Sequence, residues 1–201
     1  MNPIRIAYLS TRDIENPESR GHYYMAKALA RHVGELVPAQ LSNFRGRSWL
    51  ARAAGRLGLK WDANHRYAPI AESQRIAEIA KRRLQGLTYD AVFLPHGSAI
   101  AAHLDVDKPV IYASDATFRR MNHYYPQFHE LDGQRVEEEE YIARRATERS
   151  NLLVHPTEWA AQSSVHDYGA APEKVVVVPS GANLDNDVPT LAELRERNET
   201  P

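Results

Sequence analysis

Three short segments place acid, base or anion-binding side chains directly after apolar runs or before helix patterns. Ser19-Arg20-Gly21 stands at the start of a helical pattern, where free amides and the helix dipole favour an anion, so these residues are candidates for phosphate or acceptor contact. His96-Gly97-Ser98 follows the run Tyr89-Asp90-Ala91-Val92-Phe93-Leu94 and Pro95, and an imidazole there can donate to a phosphate or a hydroxyl near neutral pH. Ser114-Asp115 follows Val110-Ile111-Tyr112, and a carboxylate at Asp115 can hydrogen-bond a substrate hydroxyl or orient an attacking one. Asp115 and His96 are therefore the candidate catalytic residues. Ser114 and Arg119 are the candidate binding residues beside them, with Arg120, Tyr124 and Tyr125 on the same side. Each has a plainer reading as well. Gly21 can ease a turn, Ser114 and Asp115 are both good helix N-caps, His96 can be structural, and the arginines and tyrosines can form a solvated helix end with aromatic packing.

These residues share one location only if the chain folds as alternating strands and helices. Residues 4–9 (IRIAYL), 36–41, 89–94, 110–112, 152–154 and 175–178 read as strands, the second weakened by Pro38. Helical patterns lie between them, among them a stripe of Ile70, Ile76, Ile79, Ala80 and Leu84 closing at Gly86, and a charged stretch over residues 130–150. That alternation predicts a doubly wound parallel sheet of Rossmann-like α/β class. Ligands of such sheets bind beyond the carboxyl ends of the strands, where all of the candidates sit. The loop after the first strand has no glycine before Gly21, so it lacks the tight glycine spacing of a dinucleotide site and argues against a nicotinamide or flavin dehydrogenase. The nine histidines show no His-x-His or His-Glu-x-x-His pairing, so no metal site is expected. The run Glu137 to Glu140, answered by Arg144, Arg145 and Arg149, reads as a solvated helix face.

Residues 158–185, EWAAQSSVHDYGAAPEKVVVVPSGANLD, give the most detailed local reading. Thr157 is an N-cap, and Trp159, Ala160, Ser163, Ser164 and Tyr168 follow at helical spacing. Gly169 suits a left-handed cap, and Pro172 prevents the helix from resuming. Trp159 is expected in the core. The Val175-Val176-Val177-Val178 run is expected to be a strand buried on both faces. A Thr-x-Trp helix start, a Tyr-Gly end, a Glu-Lys-Val-x-Val-Val-Pro strand and a Gly-Ala-Asn-Leu-Asp exit resemble the end of the N-terminal domain in retaining glycosyltransferases of family 4, which have the two-domain GT-B fold. The resemblance implies that residues 1–185 are an acceptor-side domain, that Ser180 and Gly181 form a hinge, and that residues 186–201 are a polar tail leading toward a missing C-terminal domain, the partner that would hold a nucleoside-diphosphate sugar. It further implies transfer of a hexose with retention, without a metal, to a sugar acceptor, by a complete enzyme of which this chain alone would be inactive. It places Asp115 where many members have a histidine that touches the donor sugar. Two other readings compete: a nucleotide-sugar epimerase-like half, and a non-enzymatic domain that binds a glycan or another partner.

At 201 residues with 43% hydrophobic composition, the chain suits one α/β domain plus a tail. Twenty-five basic and 26 acidic side chains leave a net charge of −1, which gives no field favouring nucleic acid. The absence of cysteine removes disulfides and thiol chemistry, and no signal or membrane-spanning segment is evident, so a cytoplasmic location is expected. Residues 45–60 (RGRSWLARAAGRLGLK) carry five basic side chains, from Arg45 to Lys60, and no acid. Trp49, Leu50, Ala53 and Leu57 fall on one side of a helical projection, a pattern suited to peripheral contact with a membrane surface.

Overall fold

The computed structural model of the chain describes residues 3–41 and 70–181. The amphipathic stretch at 45–60, the expected domain boundary at 185 and the polar tail lie outside the described residues. Six strands form one parallel sheet: β1 (Ile4–Ser10), β2 (Gly34–Gln40), β3 (Ala91–Pro95), β4 (Val110–Ala113), β5 (Leu152–His155) and β6 (Val175–Val177), in the spatial order β2-β1-β3-β4-β5-β6. The helices are α1 (Gly21–His32), α2 (Ile70–Leu84), α3 (Ser98–Ala101), α4 (Phe118–Tyr124), α5 (Gly133–Arg149) and α6 (Glu158–His166). No described helix is long and apolar enough to cross a membrane.

Successive side chains of a strand point to opposite faces, and both faces are covered, so the central strands are buried throughout. Ile6 and Tyr8 of β1 pack with Phe93, Ala113 and Ala26 of α1 on one face. Ala7 and Leu9 pack on the other with Val92, Leu94 and Leu153, under Ile76 and Leu84 of α2, Ile100 of α3 and Ile142 of α5. Helix ends follow local chemistry. Thr117, Asp132 and Thr157 cap α4, α5 and α6 by accepting from the amides of Arg120, Arg135 and Ala160. Gly86 after α2 and Gly169 after α6 take φ of 79° and 72°, a backbone that glycine adopts without Cβ strain.

Several expectations are overturned. Pro38 does not interrupt β2, which pairs with β1 along its full length, Tyr8 opposite Pro38. Among the described residues β2 pairs only on that side, and a proline is tolerated where no neighbour needs its missing N–H. The valine run is not buried on both faces: β6 closes the sheet on the other side, its residues are half-buried and Val178 is 57% exposed. Ile79 lies on the outer side of α2 and is exposed. Trp159 is 39% exposed rather than in the core, because the inward face of α6 is filled by the small residues Ala160, Ala161, Ser163 and Ser164. Its ring meets Tyr124 edge-on at 5.9 Å and carries the Arg120 guanidinium at 5.6 Å. The Glu137 to Glu140 run is not one solvated face: Glu139 is 4% exposed and Glu140 holds Arg119.

Stability should follow this burial. Ile142→Ala, at a 1% exposed site, should cost about 2–5 kcal/mol by transfer and cavity formation. Trp159→Ala should cost about 1–2 kcal/mol, the scale of surface aromatic contacts. Denaturant midpoints of the two variants check the order, and a larger loss at Trp159 would contradict the packing of α6.

Candidate functional site

Strand order reverses between β1 and β3. From β1 the chain passes to β2 on one side and returns through α2 to β3 on the other, so the loops leaving β1 and β3 diverge over an open crevice. Both exits are strained. Arg20, just before α1, has φ 45° and ψ −109°, and His96, just after β3, has φ 53°; these are the non-glycine residues with positive φ among the described residues. Such conformations cost on the order of 1–3 kcal/mol each and persist only where the surroundings enforce them. At His96 the enforcement is visible: its amide donates to Ala113 O at 2.7 Å, and a Cβ on the following Gly97 would lie 2.6 Å from Leu94 Cδ1 in the core.

The β1 side is organised by Ser10, which is 1% exposed. Its Oγ accepts from the Arg12 amide at 2.9 Å and lies 3.0 Å from His22 Nδ1 in the first turn of α1. Tyr8 donates from beneath to His22 O at 3.1 Å. Burial, then the neighbouring His96 and Arg12, hold the His22 imidazole down at about 4 against the weaker opposing pull of Asp115, so it is neutral at physiological pH. The His22 and His96 rings lie tilted to each other by 55° with 5.5 Å between centroids, and His96 Nδ1 lies 3.8 Å from Asp115 Oδ2. The crevice thus aligns two imidazoles and a carboxylate from three different strand-to-helix loops.

Asp115 is not a helix cap. Thr117 takes that role, while the Asp115 side chain is 77% exposed. The turn that carries it is fixed from below. Ser114 donates its hydroxyl to Ala116 O at 2.8 Å and its amide to Val154 O at 3.0 Å. Buried His155 lies 2.8 Å from Ser114 O through Nδ1 and 2.8 Å from Ser164 Oγ through Nε2. A carbonyl only accepts, so Nδ1 carries the proton and Nε2 accepts from Ser164; burial holds this ring's pKa below the usual value and keeps it neutral. Thr117 is tied in the same way: Ser163 gives its proton to Asp167 at 2.6 Å, so Thr117 must donate to Ser163 across 2.6 Å.

A cavity of about 270 Å³ runs from His96 and Asp115 beneath this turn to α5, where Glu139, Ala143 and Thr147 form one wall. Burial outweighs the pull of nearby Arg135 and pushes the Glu139 carboxyl up to about 7.

The structure brings His96, Ser114 and Asp115 together, with Arg20 and Gly21 across the crevice at the start of α1 and Ser19 closing the 3-10 turn that precedes them. Arg119 is held elsewhere, in a two-pronged contact with Glu140 at 3.1 and 3.2 Å. Ser180 and Gly181 are exposed beyond β6. Two residues escaped the sequence reading. His22 was marked only by its place beside Arg20-Gly21, and Glu139 was hidden in an acidic run.

No family model and no curated protein matches the chain. Solved structures do match. A UDP-N-acetylglucosamine 2-epimerase aligns over 88% of this chain and 48% of its own at 13% identity with a TM-score of 0.51. The S. aureus MnaA–UDP co-structure aligns over 87% and 43% at 16% identity, also with a TM-score of 0.51. The chain therefore spans about half the length of these proteins. At this identity the likeness establishes the fold, a Rossmann-like α/β sheet of the kind found in GT-B-like enzymes.

Two measurements test the site's construction. His96→Asn keeps a side chain that tolerates left-handed backbone, whereas His96→Val does not, so valine should lower stability by about 1–2 kcal/mol more than asparagine; equal melting temperatures would deny the strain. A carboxyl whose pKa is raised on folding stabilises the native state below its unfolded pKa, and that contribution is lost as pH rises through the folded value near 7. Glu139→Gln should therefore be more stabilising relative to the parent at pH 8 than at pH 5, by about 3 kcal/mol at most. A pH-independent difference in denaturant unfolding would place Glu139 in solvent.

Proposed function

We propose that the chain is the acceptor-side half of a retaining GT-B glycosyltransferase that moves a hexose from a nucleoside-diphosphate sugar to a hydroxyl of an acceptor. The observation that carries this reading is the meeting of His22, His96 and Asp115 over the reversal of strand order, the place where open parallel sheets bind ligands. Residues 89–185 add the family 4 resemblance, and the GT-B-like fold of the structural neighbours agrees with it.

In this reading the start of α1, with Arg20 beside it, faces the donor phosphates, and His96 donates a hydrogen bond to a phosphate or hydroxyl oxygen. The exposed Asp115 carboxylate orients sugar or acceptor hydroxyls by accepting from them. The bond from the anomeric carbon to the phosphate oxygen breaks, and its electron pair leaves with the nucleoside diphosphate. The acceptor oxygen forms the new bond and gives up its proton to the departing phosphate oxygen. Charge on the departing phosphate is what the amino end of α1, with Arg20 beside it, would stabilise most in the transition state.

An epimerase-like half is the rival, favoured by the likeness to a UDP-N-acetylglucosamine 2-epimerase. It uses the same class of donor but requires a proton to leave and return to a sugar carbon. With the complete enzyme, a transferase releases nucleoside diphosphate only when acceptor is added, and an epimerase incorporates solvent deuterium into the sugar without acceptor.

The isolated chain should unfold cooperatively and transfer no sugar; robust turnover by the pure chain would overturn the half-enzyme reading. In the complete enzyme, Asp115→Asn should leave the melting temperature nearly unchanged, since the side chain is exposed and caps no helix. Turnover should fall by roughly a hundredfold or more, the range for a removed acid, base or electrostatic stabiliser. Parental turnover in that variant would take Asp115 out of the reaction.

A further inference from the structure

Tyr168 and Gly169 close the turn after α6. With φ of 72° at Gly169, its amide reaches Val165 O at 3.0 Å and the Ala170 amide reaches Ser164 O at 2.9 Å, so the chain doubles back on α6. The Tyr168 side chain is buried there, 3% exposed. Two guanidinium groups approach its ring, Arg119 at 5.7 Å and Arg144 at 5.8 Å from the centroid. Its hydroxyl accepts from the Arg119 amide at 3.0 Å, across 49 positions of sequence.

That amide lies in the first turn of α4, where the helix has no carbonyl of its own to offer. The side-chain cap beside it is long, since Thr117 Oγ1 stands 3.4 Å from the Arg120 amide. Tyr168 therefore supplies the shorter bond to the start of α4. The Arg119 side chain is held at the same place, because Glu140 of α5 takes its guanidinium at 3.1 and 3.2 Å and neighbours the phenol as well. Burial, then that carboxylate, raise the phenol's pKa, so the group remains a neutral hydroxyl. Backbone and side chain of Arg119 are thus fixed by two separate elements, α5 and the turn after α6.

The Asp115 side chain is 77% exposed, with His96 Nδ1 3.8 Å away, so its place is set by the backbone on either side. On one side His155 holds Ser114; on the other Tyr168 and Glu140 hold Arg119. We propose that Tyr168 is a positioning residue for Asp115, its hydroxyl holding the start of α4 and with it the turn that presents the carboxylate. The proposal rests on the reading that Asp115 meets the reacting sugars. It assigns the effect to the hydroxyl and not to the ring.

Tyr168→Phe removes that hydroxyl and keeps the ring. In the whole chain, labelled for amide NMR, order parameters from Asp115 to Arg119 should fall from the rigid range near about 0.85 toward about 0.6, while Ser114, held separately by His155, stays rigid. Unchanged order parameters in that stretch would overturn the proposal. In the complete enzyme, Tyr168→Phe should lower turnover by roughly tenfold, within the loss that a misplacement of about 1 Å can bring. Made in the Asp115→Asn background, the same substitution should cost nothing further, because a residue that acts through Asp115 then has nothing to act on. An equal loss in both backgrounds would make Tyr168 a structural residue alone and would also overturn the proposal. A complete enzyme that moves no hexose would instead remove Asp115 from transfer, and the order parameters would still decide whether Tyr168 holds the turn.

Discussion

The reversal of strand order between β1 and β3 is the constraint from which the site follows. Two neighbouring parallel strands whose connections depart in opposite directions cannot cover the ground between their carboxyl ends, so a crevice is left by topology. Each exit must then turn sharply to reach its helix, and the turns are made at Arg20 and His96 in left-handed backbone. Strain of this size survives only because the sheet beneath is over-determined. Ser10 is buried at the end of β1, Leu94 closes against Gly97, and the His96 amide is bound to Ala113 of the next strand. The same contacts that hold the strain aim the His22 and His96 rings at each other.

A second, independent layer of order holds the Asp115 turn. His155 ends β5 and bonds the carbonyl of Ser114 on one side and the hydroxyl of Ser164 on the other, joining two loops and α6 through one neutral ring. The chain of protons from Thr117 to Ser163 to Asp167 ties the start of α4 to α6 in parallel. His155 and Ser163 are buried at the centres of these networks, where an alternative arrangement would strand a polar group. Asp115 itself caps no helix, and its exposed side chain takes no part in either network.

The sequence made the parallel α/β class legible because strand and helix patterns alternate without ambiguity, and it made helix ends legible because Thr157, Gly86 and Gly169 act through local backbone chemistry. It failed where burial depends on neighbours far along the chain. Trp159 looks like a core residue until α6 is docked, when the contact distance proves short enough only for Ala160, Ala161, Ser163 and Ser164. The valines look doubly buried until β6 closes the sheet. Ser114 and Asp115 both look like caps, and only the backbone at Thr117 decides otherwise. His22 carries no motif of its own; its role arises from Ser10, twelve residues away, and from His96 across the crevice. Glu139 is indistinguishable in sequence from the acids on either side of it, and which of them turns inward is set by the rotation of α5 against α3 and α4.

These two unannounced residues share one physical cause, since burial resists the charged form of each. At the start of α1, burial, His96 and Arg12 keep the His22 ring neutral against the weaker pull of Asp115. On α5, burial raises Glu139 even with the Arg135 guanidinium 3.1 Å away, so loss of solvent outweighs the ion pair in setting its proton.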